Sequence, residues 1–204
     1  AAVVAGGVLI TKSLIKTAAS YEYEMSRIKA VTNATTDEMR QMDQLALQLG
    51  KDTVFSASEA AQGINELAKA GVSVADILGG GISGTLALAA AGELEVAAAA
   101  EVASNAMNIF NLSGKDVGMV ADTLAAAANA SSLEVSDLAY SMKYAGPVAQ
   151  SLGIPFQQLV AILAELGNQG IRGEQAGAGL ASMLQALTAP TDDATQQLEQ
   201  YGIA

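Results

Sequence analysis

The sequence contains no cysteine, no histidine and no tryptophan. Without cysteine there are no disulfides, thiolate nucleophiles or cysteine zinc sites. Without histidine there is no imidazole base, proton shuttle or nitrogen metal ligand. Missing cysteine is compatible with any compartment. Three Phe and five Tyr are too few to furnish a sugar-stacking cleft, so a carboxylate glycosidase is a poor fit. Ten basic residues face 21 acidic ones, a formal net charge of −11. The deficit is uneven: residues 1–70 carry seven basic and eight acidic side chains, a net −1, and residues 71–204 carry three and thirteen, a net −10. Such a body repels a phosphate backbone and gains no affinity from counterion release, so nucleic acid is not an expected partner.

Proline is also scarce, with three in 204 residues, which leaves long segments free to run as helix. The composition is 51% hydrophobic but only 4% aromatic. The apolar content is therefore mostly Ala, Leu, Val and Ile, and alanine is the best intrinsic helix former. The fold class is predicted to be all-α, an Ala/Gly-rich multi-helix domain with a long N-terminal helix. Residues 1–30 read as that helix and 31–204 as the helical core domain. An alanine face buries little area per residue, so core stability has to come from many close helix contacts.

The chain opens on Ala1 rather than Met, and is expected to be a portion of a longer polypeptide. Ala1–Ile10 is apolar, but Lys12 and Lys16 interrupt it well short of the ~20 residues that span a bilayer, and it lacks the basic start of a signal peptide. It reads as the apolar end of a helix, with membrane contact as the alternative. Within that helix Leu14, Ala18, Tyr21, Met25 and Ile28 alternate four- and three-residue steps, a heptad seam suited either to the chain's own core or to a second copy.

The most sharply punctuated stretch is Phe55–Val74. Ser56 and Glu59 have capping-box spacing, Ala60, Ile64, Leu67 and Ala68 fall on one face at helical period, and Gly71 stands where a left-handed C-terminal cap is expected. Thr35 and Glu38 repeat the start signal for an earlier helix, with Met39, Met42, Ala46 and Leu49 inward and Gly50 as its stop. Residues 72–92 read as the least regular part, a short helical turn and then a flexible or tightly turned connector at Gly79-Gly80-Gly81. Helices follow over Glu93–Phe110, over Lys115–Asn129, from Ser132 or Leu133 to about Tyr144, and from Pro155 onward. Gly146-Pro147 is expected to interrupt the third of these. The last strong helix has Ala176, Leu180, Met183, Leu184 and Leu187 on its inner face and ends at Pro190, before another begins over Thr191–Tyr201.

Short matches to chemical motifs have plainer explanations. Gly79, Gly81 and Gly84 spell GxGxxG, but no strand precedes them, so dinucleotide binding does not follow. Ser26-Arg27-Ile28-Lys29 matches SxxK on an amphipathic helix without companion motifs. Asn33, Asn111 and Asn129 begin N-x-S/T triplets between helices, where these residue types cap helix ends. Gly173 and Gly177 stand four apart in a helix. Each interior glycine costs roughly 1 kcal/mol against alanine, which points to close backbone approach by a neighbouring helix. Arg172 and Glu174 argue against an intramembrane GxxxG dimer. No cofactor, metal, phosphate or nucleophile site emerges, and the chain reads as a non-enzyme.

Specific blocks carry a family resemblance. KDTVFSASEAAQGINELAKAG, then LALAAAGELEVAAAAEVASNAMNIFNLS, then VADTLAAAANASSLEVSDLAYSMKYAGPVAQSLGI and LAELGNQGIRGEQAGAGLASMLQALTAP resemble, in order, the core of phage tail tape measure proteins of the TP901 type. The resemblance covers roughly Ala18–Ala204, and departs from the usual pattern in the glycine-rich Gly79–Gly81. It implies a structural protein, present in several copies inside the tail tube, whose length sets tail length and which leaves ahead of the genome at ejection. Implied partners are further copies in a small homo-oligomer such as a trimer, tail tube and tail-tip or baseplate proteins, tail assembly chaperones, and the host membrane at ejection. The implied location is the lumen of the virion tail, and the host cytoplasm during assembly. A helical envelope-active module that perturbs membranes is the competing reading, motivated by Ala1–Ile10 and Ile82–Gly92.

Overall fold

A computed structural model describes residues 18–189 and Tyr201, and every regular element among the described residues is helical. Leu14, the apolar Ala1–Ile10, Pro190 and most of Thr191–Tyr201 lie outside the described residues. The helices are α1 (18–32), α2 (Thr36–Asp52), α3 (Ala57–Lys69), α4 (Val74–Asp76), α5 (Ile82–Ala91), α6 (Val96–Phe110), α7 (Val117–Ala130), α8 (Val135–Ser151), α9 (Phe156–Asn168) and α10 (Gly173–Thr188). A five-residue π turn, Ile77–Gly81, joins α4 to α5, and a 3₁₀ turn, Gly114–Asp116, leads into α7.

The chain divides into two compact units. One runs up to Met107 and adds Leu112–Asp122; the other comprises Asn108–Asn111 and the chain from Thr123 onward. In the first unit α2 and α3 form the main helical hairpin, turned at residues 53–56. Its core is built from fully buried Ile28, Met42, Ala46, Ala60, Ile64 and Leu67, extended by Ile77, Ile82, Leu88 and Val96. In the second unit α8, α9 and α10 follow one another, with α8 and α10 the most extensively packed pair. Leu138, Met142, Ala145, Leu159, Leu163, Ala176 and Leu180 fill this core, while Phe110 meets Phe156 edge-on at 5.5 Å between ring centroids. Leu, Ile and Val fill both interiors beside buried Ala, and glycines at several crossings let helices approach closely.

Four boundaries differ from those the sequence suggests. Gly50 does not stop α2, which continues to Asp52 and is capped at Thr53. Instead Gly50 gives room to α3, since a Cβ there would lie 2.9 Å from the Ala57 Cα. Residues 72–92 are largely helical, and Gly79–Gly81 is their tight turn: the π turn joining α4 to α5 kinks at Gly80, whose φ of 124° needs glycine. The Ala- and Leu-rich residues after it restore the helix at once. Glu93 lies outside α6, at φ 50°. Finally, Pro147 does not interrupt α8, which runs unbroken from Val135 to Ser151. The hydrogen bond proline removes would have ended on the carbonyl of Lys143. Lys143 and Pro147 are both exposed, so the lost bond lies on the solvent side of α8 rather than in the core.

Candidate packing and interaction surfaces

The sites that stand out are helix ends and helix crossings. At the start of α3 the Ser56 hydroxyl accepts from the Glu59 backbone N–H at 3.2 Å, and the Glu59 carboxylate accepts from the Ser56 N–H at 2.7 Å. Two of the four orphan donors of the helix start are thereby satisfied. Ile64 and Leu67, one turn further on, are fully buried. At the other end Gly71 adopts φ 88°, its N–H donates to the Ala68 carbonyl, and that of Val72 donates to Leu67, each at 3.0 Å. This paired arrangement is a Schellman cap.

Thr35 and Glu38 cap α2 in the same way. Sequence reasoning missed two further boxes, Ser113 with Asp116 and Glu134 with Asp137. Both use Asp in place of the longer Glu or Gln, and Glu134 is an unusual N-cap. The sequence signal available was an acid three residues after an acceptor. These caps fix the chemistry of their carboxylates. The Thr35 backbone and hydroxyl hold the Glu38 carboxyl below its ordinary range, and the Ser113 hydroxyl and backbone do the same for Asp116. Arg40 and then Gln41 lower Asp37. A general acid needs its pKa displaced upward, toward the working pH.

At the helix crossings glycine removes a side chain where another helix passes. Gly63 on α3 lies under Val96 and Ile82, where a Cβ would come within 2.6 and 2.7 Å of their side-chain methyl groups. Gly84 on α5 faces Gly118 on α7, its Cβ position 2.9 Å from the Gly118 Cα. Gly177 on α10 sits directly against the Ser141 carbonyl of α8, with the Ser141 Cα 2.8 Å from where a Cβ would lie. Gly173, at φ 52°, opens α10. Its carbonyl accepts from the buried Ser141 hydroxyl at 2.7 Å, and that hydroxyl also donates to the Asp137 carbonyl at 2.8 Å. The Gly173/Gly177 pair is thus where α8 and α10 interlock, joined by one serine. Pro147, by contrast, lies exposed along α8.

The described part of the α1 seam is used inside its own unit. Ile28 is fully buried and Met25 half-buried, whereas Ala18 is exposed. The Tyr21 hydroxyl donates to the Asp43 carboxylate at 2.7 Å and to the Asp43 carbonyl at 3.1 Å, tying α1 to α2. Burial first, and then the bond to Asp43, push the Tyr21 phenol well above its ordinary value of 10.0. Arg27 adds an ion pair to Glu24 at 3.1 Å, a looser one to Glu66 at 3.9 Å, and lies over the Tyr23 ring at 5.7 Å.

Among the described residues no three carboxylates converge as metal ligands. Three buried oxygens, Ser58 Oγ, Asn65 Oδ1 and Ser104 Oγ, lack a hydrogen-bond partner. Val74–Ala91 is one helical path long and apolar enough to cross a membrane, and 39% of it is buried within the fold.

An all-α architecture with capped ends and glycine helix crossings defines the described residues as a helix-packing module. The chain belongs to the phage-related minor tail protein family, whose model matches residues 43–204. Over 93% of its length it is 37% identical to the "Tape measure protein" of Pneumococcus phage Dp-1, and over 98% it is 28% identical to the "Probable tape measure protein" of Escherichia phage P2. It spans 16% and 25%, respectively, of those relatives' lengths. No solved structure matches it.

Proposed function

We propose that this chain is the helical core segment of a phage tail tape measure protein, of the TP901 type within its family. In this reading it is a structural component, not an enzyme. It lies in the lumen of the tail tube, takes part in assembly in the host cytoplasm, sets tail length as part of a longer polypeptide and departs at genome ejection. Its partners are further copies of itself in a small homo-oligomer, tube and tail-tip or baseplate proteins, and tail assembly chaperones. The observation that carries the reading is the match to the Dp-1 tape measure protein, collinear over 93% of the chain. The net charge of −11 supports it, because an occupant that repels DNA shares a tube with the genome only transiently. The test is an in-frame deletion of the segment in a phage that carries it, with tails examined by negative-stain electron microscopy. The expected outcome is absent tails or tails of irregular length; uniform tails of normal length would overturn the proposal.

A second reading, a membrane-perturbing module, draws on Val74–Ala91. Its large side chains Ile77, Ile82, Leu86 and Leu88 are buried and its exposed positions are small, so this reading requires the segment to leave the fold to enter a bilayer. Dye leakage from liposomes on adding the purified chain is its expected result. Intact liposomes from neutral pH down to the acid limb of the chain's stability would remove it.

A further inference from the structure

We propose that the chain's own residues 191–200, which lie outside the described residues, pack back along α10 and cover Met183 and Leu187. The inference concerns the fold of this chain and stands whatever role the whole polypeptide has in a tail. One stripe of α10 faces inward: Gly173, Ala176, Gly177 and Leu180 are buried. Met183, Leu184 and Leu187 continue that stripe at helical period. Here the cover thins. Leu184 is only half-buried, Met183 is 51% exposed and Leu187 is 70% exposed.

The loss of cover follows from where α8 stops. Gly173 stands beside Asp137 and Gly177 against Ser141, so α8 and α10 run in the same direction. By the same offset Leu187 comes level with Ser151, the last residue of α8. Leu152, the residue after it, is itself 39% exposed. The inward stripe of α10 therefore extends to the point where its neighbour gives out.

The occupant follows from connectivity. α10 ends at Thr188, Ala189 caps it and Pro190 comes next, so the chain continues from the open end of the stripe. In the segment that follows, Ala194, Leu198 and Tyr201 step by four and three residues, and every residue between them is polar or charged. Asp192 and Asp193 stand where a helix start favours acids. A helical hairpin turned at Pro190-Thr191 sets Ala194 against Leu187 and Leu198 against Met183, each pair equally far from the turn. Tyr201 falls level with Leu180, which the core already covers, and Tyr201 is 75% exposed. A segment tethered this closely acts at an effective concentration on the order of millimolar, above that of a separate partner in dilute solution.

The test uses the 204-residue chain, whose lack of cysteine allows pairs to be introduced. Met183→Cys with Leu198→Cys is expected to close an intramolecular disulfide under mild oxidation, which requires Cα atoms within about 4.4–6.8 Å. Ser182→Cys with Leu198→Cys is expected to close about ten-fold more slowly, because residue 182 lies on the opposite side of α10. Peroxide supplies a readout without cysteine. Leu198→Glu is expected to speed sulfoxide formation at Met183 several-fold, while buried Met142 keeps its wild-type rate and reports an intact fold. Should Met142 also react faster, the cysteine pairs decide alone. Equal closure of the two pairs overturns the proposal, as does Met183 oxidation that Leu198→Glu leaves unchanged. A disulfide that forms only between chains also overturns it and assigns the stripe to a second copy. None of these failures touches the tape measure reading, which tail length in the deletion phage tests separately.

Discussion

Gly177 and Gly179 lie two residues apart in α10, and replacing each by alanine should move stability in opposite directions. Both changes remove the cost of a helical glycine, roughly 1 kcal/mol. At Gly179 nothing stands within 4 Å of the new Cβ, so Gly179→Ala should raise the melting temperature. At Gly177 the Cβ would overlap the Ser141 backbone, which cannot rotate away as a side chain can. Overpacking of this kind costs about 1–3 kcal/mol, so Gly177→Ala should lower the melting temperature despite its better propensity. Thermal unfolding followed by circular dichroism checks both. The sequence spacing pointed to a close approach, which Gly177 makes, whereas Gly173 opens α10 at φ 52° with only ordinary contacts around its Cβ position. The spacing could not show that Ser141 is the residue approached, since that depends on how α8 and α10 come together. Titration gives a second residue-scale test. The Tyr21 phenol is raised on folding, so its bond to Asp43 contributes fully below pH 10 and is lost as pH rises through the folded pKa. Tyr21→Phe should therefore weaken the fold at neutral pH and flatten the alkaline fall in stability.

At the scale of the helix, ends matter more than interiors. Ser56→Ala removes one half of the α3 capping box and should cost about 1 kcal/mol in chemical denaturation. Glu38 and Asp116 are held below their ordinary values, so their contribution is present above the unfolded pKa near 4 and is lost as pH falls through the lower folded one. Helicity should accordingly erode only below about pH 4. The boxes at Thr35–Glu38 and Ser56–Glu59 could be read from the sequence because the signal is local, an acceptor and an acid three residues apart. Pro147 misled because a proline in a sequence does not reveal whether the carbonyl it orphans faces core or water. At Gly79–Gly81 the tight turn was legible from the glycines, but not that Gly80 alone takes up the departure from helix. Met183 and Leu187 have the right period for an inner face, yet period does not specify that the fold supplies a partner.

For the whole molecule, composition already excluded much. A chain without cysteine or histidine, at −11 net charge and built on alanine, offers no thiol or imidazole chemistry and folds as packed helices. It belongs to a phage minor tail family and aligns over 93% of its length with a tape measure protein of Dp-1. It spans 16% and 25% of the lengths of the relatives it matches, so the proposed role in tail length is best tested in a whole phage. The most direct measurement is therefore tail length and tail yield, by electron microscopy, in a phage from which this segment has been deleted in frame. The account predicts few tails, of scattered length. Abundant tails of uniform, unaltered length would contradict it.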